Sequence, residues 1–391
     1  MNSELLARLM AADPSERQWL LLASVLESVS VEVRQAVWAV AVPHWFDDRI
    51  LAALCPELAT QATEIYQALQ ALSFVEVFEG RGHNIHEATR SLLLNRLWTD
   101  RTDEFKLISA RAAEYFENDE SNAAEWLYHK SIGEPIGDAL NGVMRPLNNQ
   151  FRRSESEVIL KALDEQIAVH RVESAVAAEV AYWEGELHRR FYEADEALEN
   201  YARAIEIYRQ VGERLGEANT LRAIGVVLQF KKQTDEALEN YARAMQIYRQ
   251  VGERLGEANT LKAIGDVLQF KKQTDEALEN YARAIEIYRQ VGARLGEANC
   301  LHELGNLAEE IEKKLQFLQE AQQLYVTIGS LYSQSRNLRF IARAQESQGN
   351  LSAALESWKF SRDLAIEIHY ELFQTSAQEA IDRLLAVQPG L

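Results

Sequence analysis

"DEALENYARAIEIYRQVGERLGEANTLRAIGVVLQFKKQT", residues 195–234, is followed at once by residues 235–274, in which only four letters differ. Ile205 becomes Met245, Glu206 becomes Gln246, Arg222 becomes Lys262 and Val226 becomes Asp266. A third copy starts at Asp275, stays close through Cys300 and then drifts. Self-similarity at a period of this size marks a stacked array. In the second copy Ala237, Leu238, Tyr241, Ala244, Met245 and Tyr248 fall at i, i+1, i+4, i+7, i+8 and i+11, one face of a helix. Gly252 then stands where a helix C-cap is needed. A second helix follows, with Leu261, Ile264, Gly265 and Leu268 on its inner side.

Repeats of this kind resemble the tetratricopeptide (TPR) family. Leu221, Ile224, Gly225, Leu228, Ala237, Tyr241 and Ala244 match its packing positions, and recur as Leu261, Ile264, Gly265, Leu268, Ala277, Tyr281 and Ala284. Gly and Ala let antiparallel helices approach, and the aromatic fills the space between them. The sequence departs from the family pattern twice. Leu stands where the family has Trp, and Arg249 stands where a proline closes the usual repeat, so the helices run on by about a turn. The longer form resembles the repeats of Pins-type adaptors and kinesin light chains. Weaker copies flank the strong ones: Gly185, Ala197 and Tyr201 before them, and Ala342, Ala354 and Trp358 after them. The expectation is five helix pairs from about Ser174 to about His369. A capping helix over about Glu371 to Val387 covers the last apolar face, as an array requires.

The family's register places the first helix of each pair on a concave face. The implied groove positions are Asn219, Arg222, Val226 and Gln229, then Asn259, Lys262, Asp266 and Gln269, then Asn299, His302 and Asn306. Arg336, Arg339 and Arg343 follow at the far end, and Arg189 and Arg190 project at the near end, as sites for carboxylates. Two of the four substitutions fall in this groove. A constant scaffold with a changing lining fits the reading of an extended partner, and an Asn ladder, able to donate and accept, fits its backbone. Drift after recent duplication would also leave near-identity with changes at exposed positions.

The first 150 residues carry no repeat. "HWFDDRILAAL" and "ATEIYQALQAL" read as short helices, and "SFVEVF" and "HNIHE" as strands joined by "EGRG". "ATRSLLLNRLW" follows as an amphipathic helix. This order is similar to the winged-helix segment of STAND signalling ATPases over about residues 15–135. That resemblance implies a docking module. The chain lacks the G-x-x-x-x-G-K-[ST] loop of nucleotide binding, so no cofactor is expected. The would-be recognition helix, "TEIYQALQALSF", has no Lys or Arg, which argues against DNA.

Charge agrees. The chain of 391 residues has a net charge of −19. Residues 1–150 hold 12 Lys and Arg against 22 Asp and Glu, so no basic half exists to meet phosphate or an anionic membrane. Cys55 and Cys300 read as reduced thiols, and "MNSELLARLM" lacks the form of an export signal, so a cytoplasmic protein without membrane spans is expected. Catalytic and metal motifs are missing: His83 and His86 fall on a hairpin, and Cys300 and His302 point to different sides of one helix.

These readings combine into an all-α chain. Residues 1–101 form a winged-helix-like domain, 102–173 bridging helices, and 174–391 a TPR superhelix with its cap. The expected function is that of a non-catalytic adaptor or sensor in bacterial-type signalling. A protein or extended peptide fills the groove, and a signalling ATPase or effector meets the N-terminal domain. A peptide-sensing transcription regulator and a self-assembling structural protein remain as alternatives.

Overall fold

The computed structural model describes residues 8–117 and 119–387. They form two compact units that divide in sequence at Ile207 and Tyr208. The "FENDESN" turn is described except at residue 118, and the first seven residues lie outside the described part.

The first unit begins with α1 (Pro14–Ser28), α2 (Val31–Val40), α3 (Asp48–Leu54) and α4 (Ala62–Gln70). Each of the first three starts at a side-chain cap: Asp13 accepts from the Glu16 amide, Ser30 from Val33 and Asp47 from Ile50. Such caps satisfy amides that the helix leaves open. β1 (Val75–Phe78) and β2 (Gly82–Ile85) then form the expected antiparallel hairpin, with Val75 opposite Ile85. Gly82 has φ +104°, and a Cβ there would lie 2.5 Å from the Phe46 carbonyl oxygen, so this turn requires glycine. Helices α5 (Glu87–Asp100), α6 (Thr102–Phe116), α7 (Ala123–Lys130), α8 (Gly137–Asn149) and α9 (Arg153–Ala168) complete the non-repeating part. Val37, Phe46, Ile50, Leu54, Leu69, Leu93 and Phe105 are buried in one cluster. Arg90 is buried beside it and donates to the carbonyl oxygens of Ala41, Val42 and Pro43. A buried loop needs its carbonyls satisfied, and this guanidinium satisfies three.

The repeats open with α10 (Ser174–Arg190) and α11 (Ala194–Val211). The second unit continues with α12 (Arg214–Phe230), α13 (Thr234–Val251), α14 (Arg254–Phe270), α15 (Thr274–Val291), α16 (Arg294–Leu307), α17 (Ile311–Ile328), α18 (Leu331–Ser347) and α19 (Leu351–Glu367). The cap, α20, spans Glu371–Val387 as expected. Gly252, Gly292 and Gly329 end the second helices in the left-handed conformation.

Two tyrosines on each strong second helix explain the stacking. The Tyr241 ring lies on Gly225 of its own pair, and the Tyr248 ring lies on Gly256 of the next. Tyr281 on Gly265 and Tyr288 on Gly296 repeat both contacts. The first set was legible as family packing positions; the second, in "RLGEAN", was not. Replacing Gly256 with alanine is expected to cost about 1–3 kcal/mol by overpacking, because the new Cβ would meet Tyr248 Cε1 at 2.4 Å. Urea unfolding followed by helical signal would measure it, and an unchanged midpoint would show that the ring moves aside freely.

The long repeat has its own clamp. Glu257, 6 % exposed, accepts from Arg249 Nε at 2.9 Å and from Arg254. Glu217 repeats this between Arg209 and Arg214, and Glu297 retains Arg289. The arginine in the place of the usual proline therefore extends the helix and anchors it to the next one. The carboxylate it reaches, Glu257, is buried and held by two guanidinium groups.

Candidate peptide-binding face

Within the second unit, successive first helices touch: α12 meets α14, and α14 meets α16. The residues expected to line a groove lie on these helices.

Asn219, Asn259 and Asn299 share one environment, each bonded by a tyrosine on the second helix of its own pair. Tyr248 Oη donates to Asn219 Oδ1 at 2.7 Å, Tyr288 to Asn259 at 2.8 Å and Tyr325 to Asn299 at 2.8 Å. One lone pair of each amide oxygen is thus taken. All three side chains are half-buried, and their Nδ2 groups are not among the buried atoms lacking a partner. The ladder offers N–H donors. Sequence reading expected amides that both donate and accept; each tyrosine takes one of the two lone pairs of the amide oxygen and fixes its direction. The signal was present, since Tyr248 and Tyr288 each follow their Asn by the same interval and Tyr325 follows after the shortened turn.

The second rung is more self-contained than expected. Lys262 Nζ and Asp266 Oδ2 are 2.7 Å apart, one helical turn from each other. Asp266 Oδ1 also accepts from Tyr281 Oη at 2.8 Å, and Gln269 accepts from the same hydroxyl at 2.9 Å. In the preceding copy Tyr241 Oη has Gln229, at 3.1 Å, while Val226 offers no acceptor. Two of the four substitutions therefore compensate for each other: a carboxylate appears where it can hold a lysine and a buried tyrosine. A double-mutant cycle on Lys262→Ala and Asp266→Ala is expected to give a coupling of about 0.5 kcal/mol, as for other partly exposed pairs on a helix. A coupling near zero would mean the pair is opened by water.

Arg222 is half-buried near Tyr248 and has partners of its own. His302 departs from expectation. It is 2 % exposed, and its Nδ1 lies 2.8 Å from Asn337 Oδ1. Asn337 is itself buried, with its amide donating to Leu318 O and Gln322, so the ring serves packing. Burial lowers the His302 pKa to about 4. Asn306 stays half-buried, and its carbonyl accepts from Lys314. Arg336 lies beside Tyr325. Arg339 stacks 4.3 Å over the Phe373 ring and donates to Ser376 Oγ at 2.6 Å. Arg343 is exposed, beside the rings of Phe340 and Trp358. At the other end Arg189 pairs with Glu186, and Arg190 donates to the Asn148 and Asn149 carbonyls, so neither projects as expected.

The remaining two substitutions lie elsewhere. Met245 and Gln246 line a cleft of about 490 Å³ with Arg249, Leu261, Ile264 and Arg283. Cys300 is buried, and burial pushes its thiol up to about 12, which leaves it inert as a nucleophile.

Residues 176–250 and 256–316 match the tetratricopeptide repeat family model. These segments are tetratricopeptide repeats. No curated protein matches the chain. Among solved structures, a STAND protein with a tetratricopeptide repeat sensor from Pyrococcus horikoshii is 13 % identical, with a TM-score of 0.54. The match covers 96 % of this chain and 62 % of that one, so this chain spans under two thirds of its relative's length. The quorum sensor NprR from B. thuringiensis is 14 % identical over 87 % of this chain and 79 % of its own, with a TM-score of 0.48. Apo RapI is 14 % identical over 71 % and 96 %, with a TM-score of 0.47. At 13 % identity the likeness to the STAND protein is one of fold. Among the described residues, no helix is long and apolar enough to cross a membrane.

Proposed function

We propose that this chain is a non-catalytic receptor for an extended protein or peptide segment, bound along the first-helix face of its TPR array. The observation that carries this reading is the donor ladder of Asn219, Asn259 and Asn299, oriented by three tyrosines of the same array. Three oriented N–H donors at successive repeats suit the carbonyl oxygens of an extended backbone. Such bonds are independent of the partner's sequence, so specificity falls to the residues between the rungs: Arg222, Val226 and Gln229 at one repeat and the Lys262–Asp266 pair at the next. Arg336, Arg339 and Arg343 would meet acidic groups at the far end.

The N-terminal residues to about 101 serve, in this reading, as a second docking module of winged-helix type for an effector, with residues 102–173 as its bridge to the repeats. The exposed side of α4, formed by Thr63, Glu64, Gln67, Ala68 and Gln70, carries no positive charge, which supports a protein partner over DNA. A cytoplasmic signalling role fits the acidic charge and the buried, reduced cysteines.

The test is selection of displayed random peptides on the intact chain, followed by titration of a selected peptide. Saturable binding that depends on the ladder supports the reading. Peptides that bind equally to a chain with the ladder altered would place recognition on another surface.

A further inference from the structure

Met245 and Gln246, the two substitutions that fall outside the first-helix face, meet in one cleft of the second unit. Its volume of about 490 Å³ falls in the range of small-ligand sites. α13 supplies Met245, Gln246 and Arg249, α14 supplies Ile264, and α15 supplies Arg283. None of Asn259, Lys262, Asp266 and Gln269 lines it.

Its charge runs against that of the chain. The protein has a net charge of −19, yet the residues lining this cleft include two arginines and no carboxylate. Arg249 donates its Nε to Glu257, which Arg254 shares, so two guanidinium groups already meet that one carboxylate. Arg283 is exposed and, among the described residues, meets no carboxylate within ion-pair distance. Gln246 is exposed on the other second helix. Gln250, also in the wall, has its Oε1 engaged by Arg214 at 3.3 Å, which leaves its N–H₂ group to donate. The accessible polar groups are thus mainly donors. Ala242 is exposed and Ile264 half-buried, and they give the cleft its accessible apolar surface, with Met245 packed beneath.

The flanking copies show what is particular to this one. Glutamate stands in the place of Gln246 at Glu206 and again at Glu286, and isoleucine stands in the place of Met245 at Ile205 and Ile285. The middle copy exchanges a carboxylate for an amide, which removes the one negative charge of the set. It also exchanges a stiff β-branched side chain for a flexible one that can mould to a guest. Drift confined to exposed positions would not reach Met245, which is 6 % exposed.

We propose that this cleft binds a small organic carboxylate with an apolar tail, its carboxylate on Arg283 and its tail against Ile264 and Ala242 above Met245. A guanidinium suits a carboxylate through two parallel bonds. The site is separate from the first-helix face and does not depend on the peptide-receptor reading.

The probe is 3-phenylpropionate, compared with 3-phenylpropanol, 3-phenylpropylammonium and N-acetylglutamate N-methylamide. Each is titrated into the full-length chain carrying 13C-methyl-labelled methionine. The sequence has four methionines, and Met245→Ile assigns the signal with a residue that the flanking copies already carry. The acid is expected to move the Met245 methyl resonance saturably, with a dissociation constant on the order of 1 mM. The alcohol and the glutamate derivative should bind about tenfold more weakly, and the ammonium not at all. Arg283→Gln should weaken the acid about tenfold with helical content unchanged, because Arg283 has no partner to lose. Gln246→Glu, which restores the residue of the flanking copies, should abolish binding. A Met245 resonance that stays in place, equal binding of the ammonium, or undiminished binding by the Gln246→Glu chain would each overturn the proposal. Equal binding of the glutamate derivative would overturn the free acid in favour of an acidic side chain of a protein.

Discussion

Changing Asn219, Asn259 and Asn299 together to aspartate is expected to weaken a groove-bound peptide about 100-fold, with the fold retained. Asn→Asp keeps Oδ1, so Tyr248, Tyr288 and Tyr325 still find their acceptors. What disappears is the amide donor, and a carboxylate oxygen takes its place opposite a peptide carbonyl. A hydrogen bond is worth about 1 kcal/mol net, so three sum to about 3 kcal/mol, or about two decades in affinity. Repulsion between oxygens adds to the loss. A contrasting variant separates orientation from donation. Tyr248→Phe, Tyr288→Phe and Tyr325→Phe free Oδ1 and let each amide rotate while leaving its donor in place, so binding should fall by about tenfold only. Titration of a selected peptide by fluorescence anisotropy, with helical content compared beforehand, distinguishes the variants. If the aspartate variant binds as tightly as the parent, the ladder belongs to the scaffold alone.

The scaffold was legible because it is periodic. Repetition puts the same apolar residue at the same place in successive units, so Ala237, Tyr241 and Ala244 could be assigned to packing without any knowledge of their neighbours. The cap over Glu371–Val387 followed from the need to close an open apolar face, and the hairpin at 75–85 from alternation around a Gly-rich turn. The groove was less legible, for a definite reason. Family register says which helix face a residue occupies. It does not say whether another side chain has already claimed its polar atoms. Register gives Asn219 a helix face, but Tyr248, 29 residues away, decides how its amide is turned. Lys262 and Asp266 read as two variable contacts, although one turn of helix makes them partners. His302 occupies the position of Arg222 and Lys262 and yet is buried, because Asn337 of a later helix supplies a hydrogen-bond partner and Phe340 packs edge-on at 4.7 Å. Long-range pairings of this kind leave no periodic trace. The hydrogen-bonded cluster of His44, Glu125 and His129 is of the same sort, since its members come from a loop and from α7 and meet only on folding.

His302 also gives the array a pH dependence of definite sign. Asn337 uses its N–H₂ on Leu318 O and Gln322, so its Oδ1 faces the ring and His302 Nδ1 carries the proton. A second proton would strengthen that bond, but it would place a charge in a buried site near Arg336 and Lys262. Burial is the larger cause, and the folded pKa falls to about 4 from the ordinary 6.5. The unfolded chain therefore takes up a proton at a pH where the folded chain does not. The stability contributed by the neutral ring is full above pH 6.5 and is lost as pH falls through about 4, a total of about 3 kcal/mol. Carboxylates titrate in the same interval, so the informative quantity is the difference between the parent and His302→Gln, whose amide can still donate to Asn337. Urea unfolding at pH 7, 6, 5 and 4 is expected to show the two stabilities converging, or crossing, by about 3 kcal/mol as the medium is acidified. A difference that stays constant with pH would mean that the ring is hydrated in the folded chain. It would then stand where Arg222 and Lys262 stand in the earlier repeats, as a third rung open to a partner.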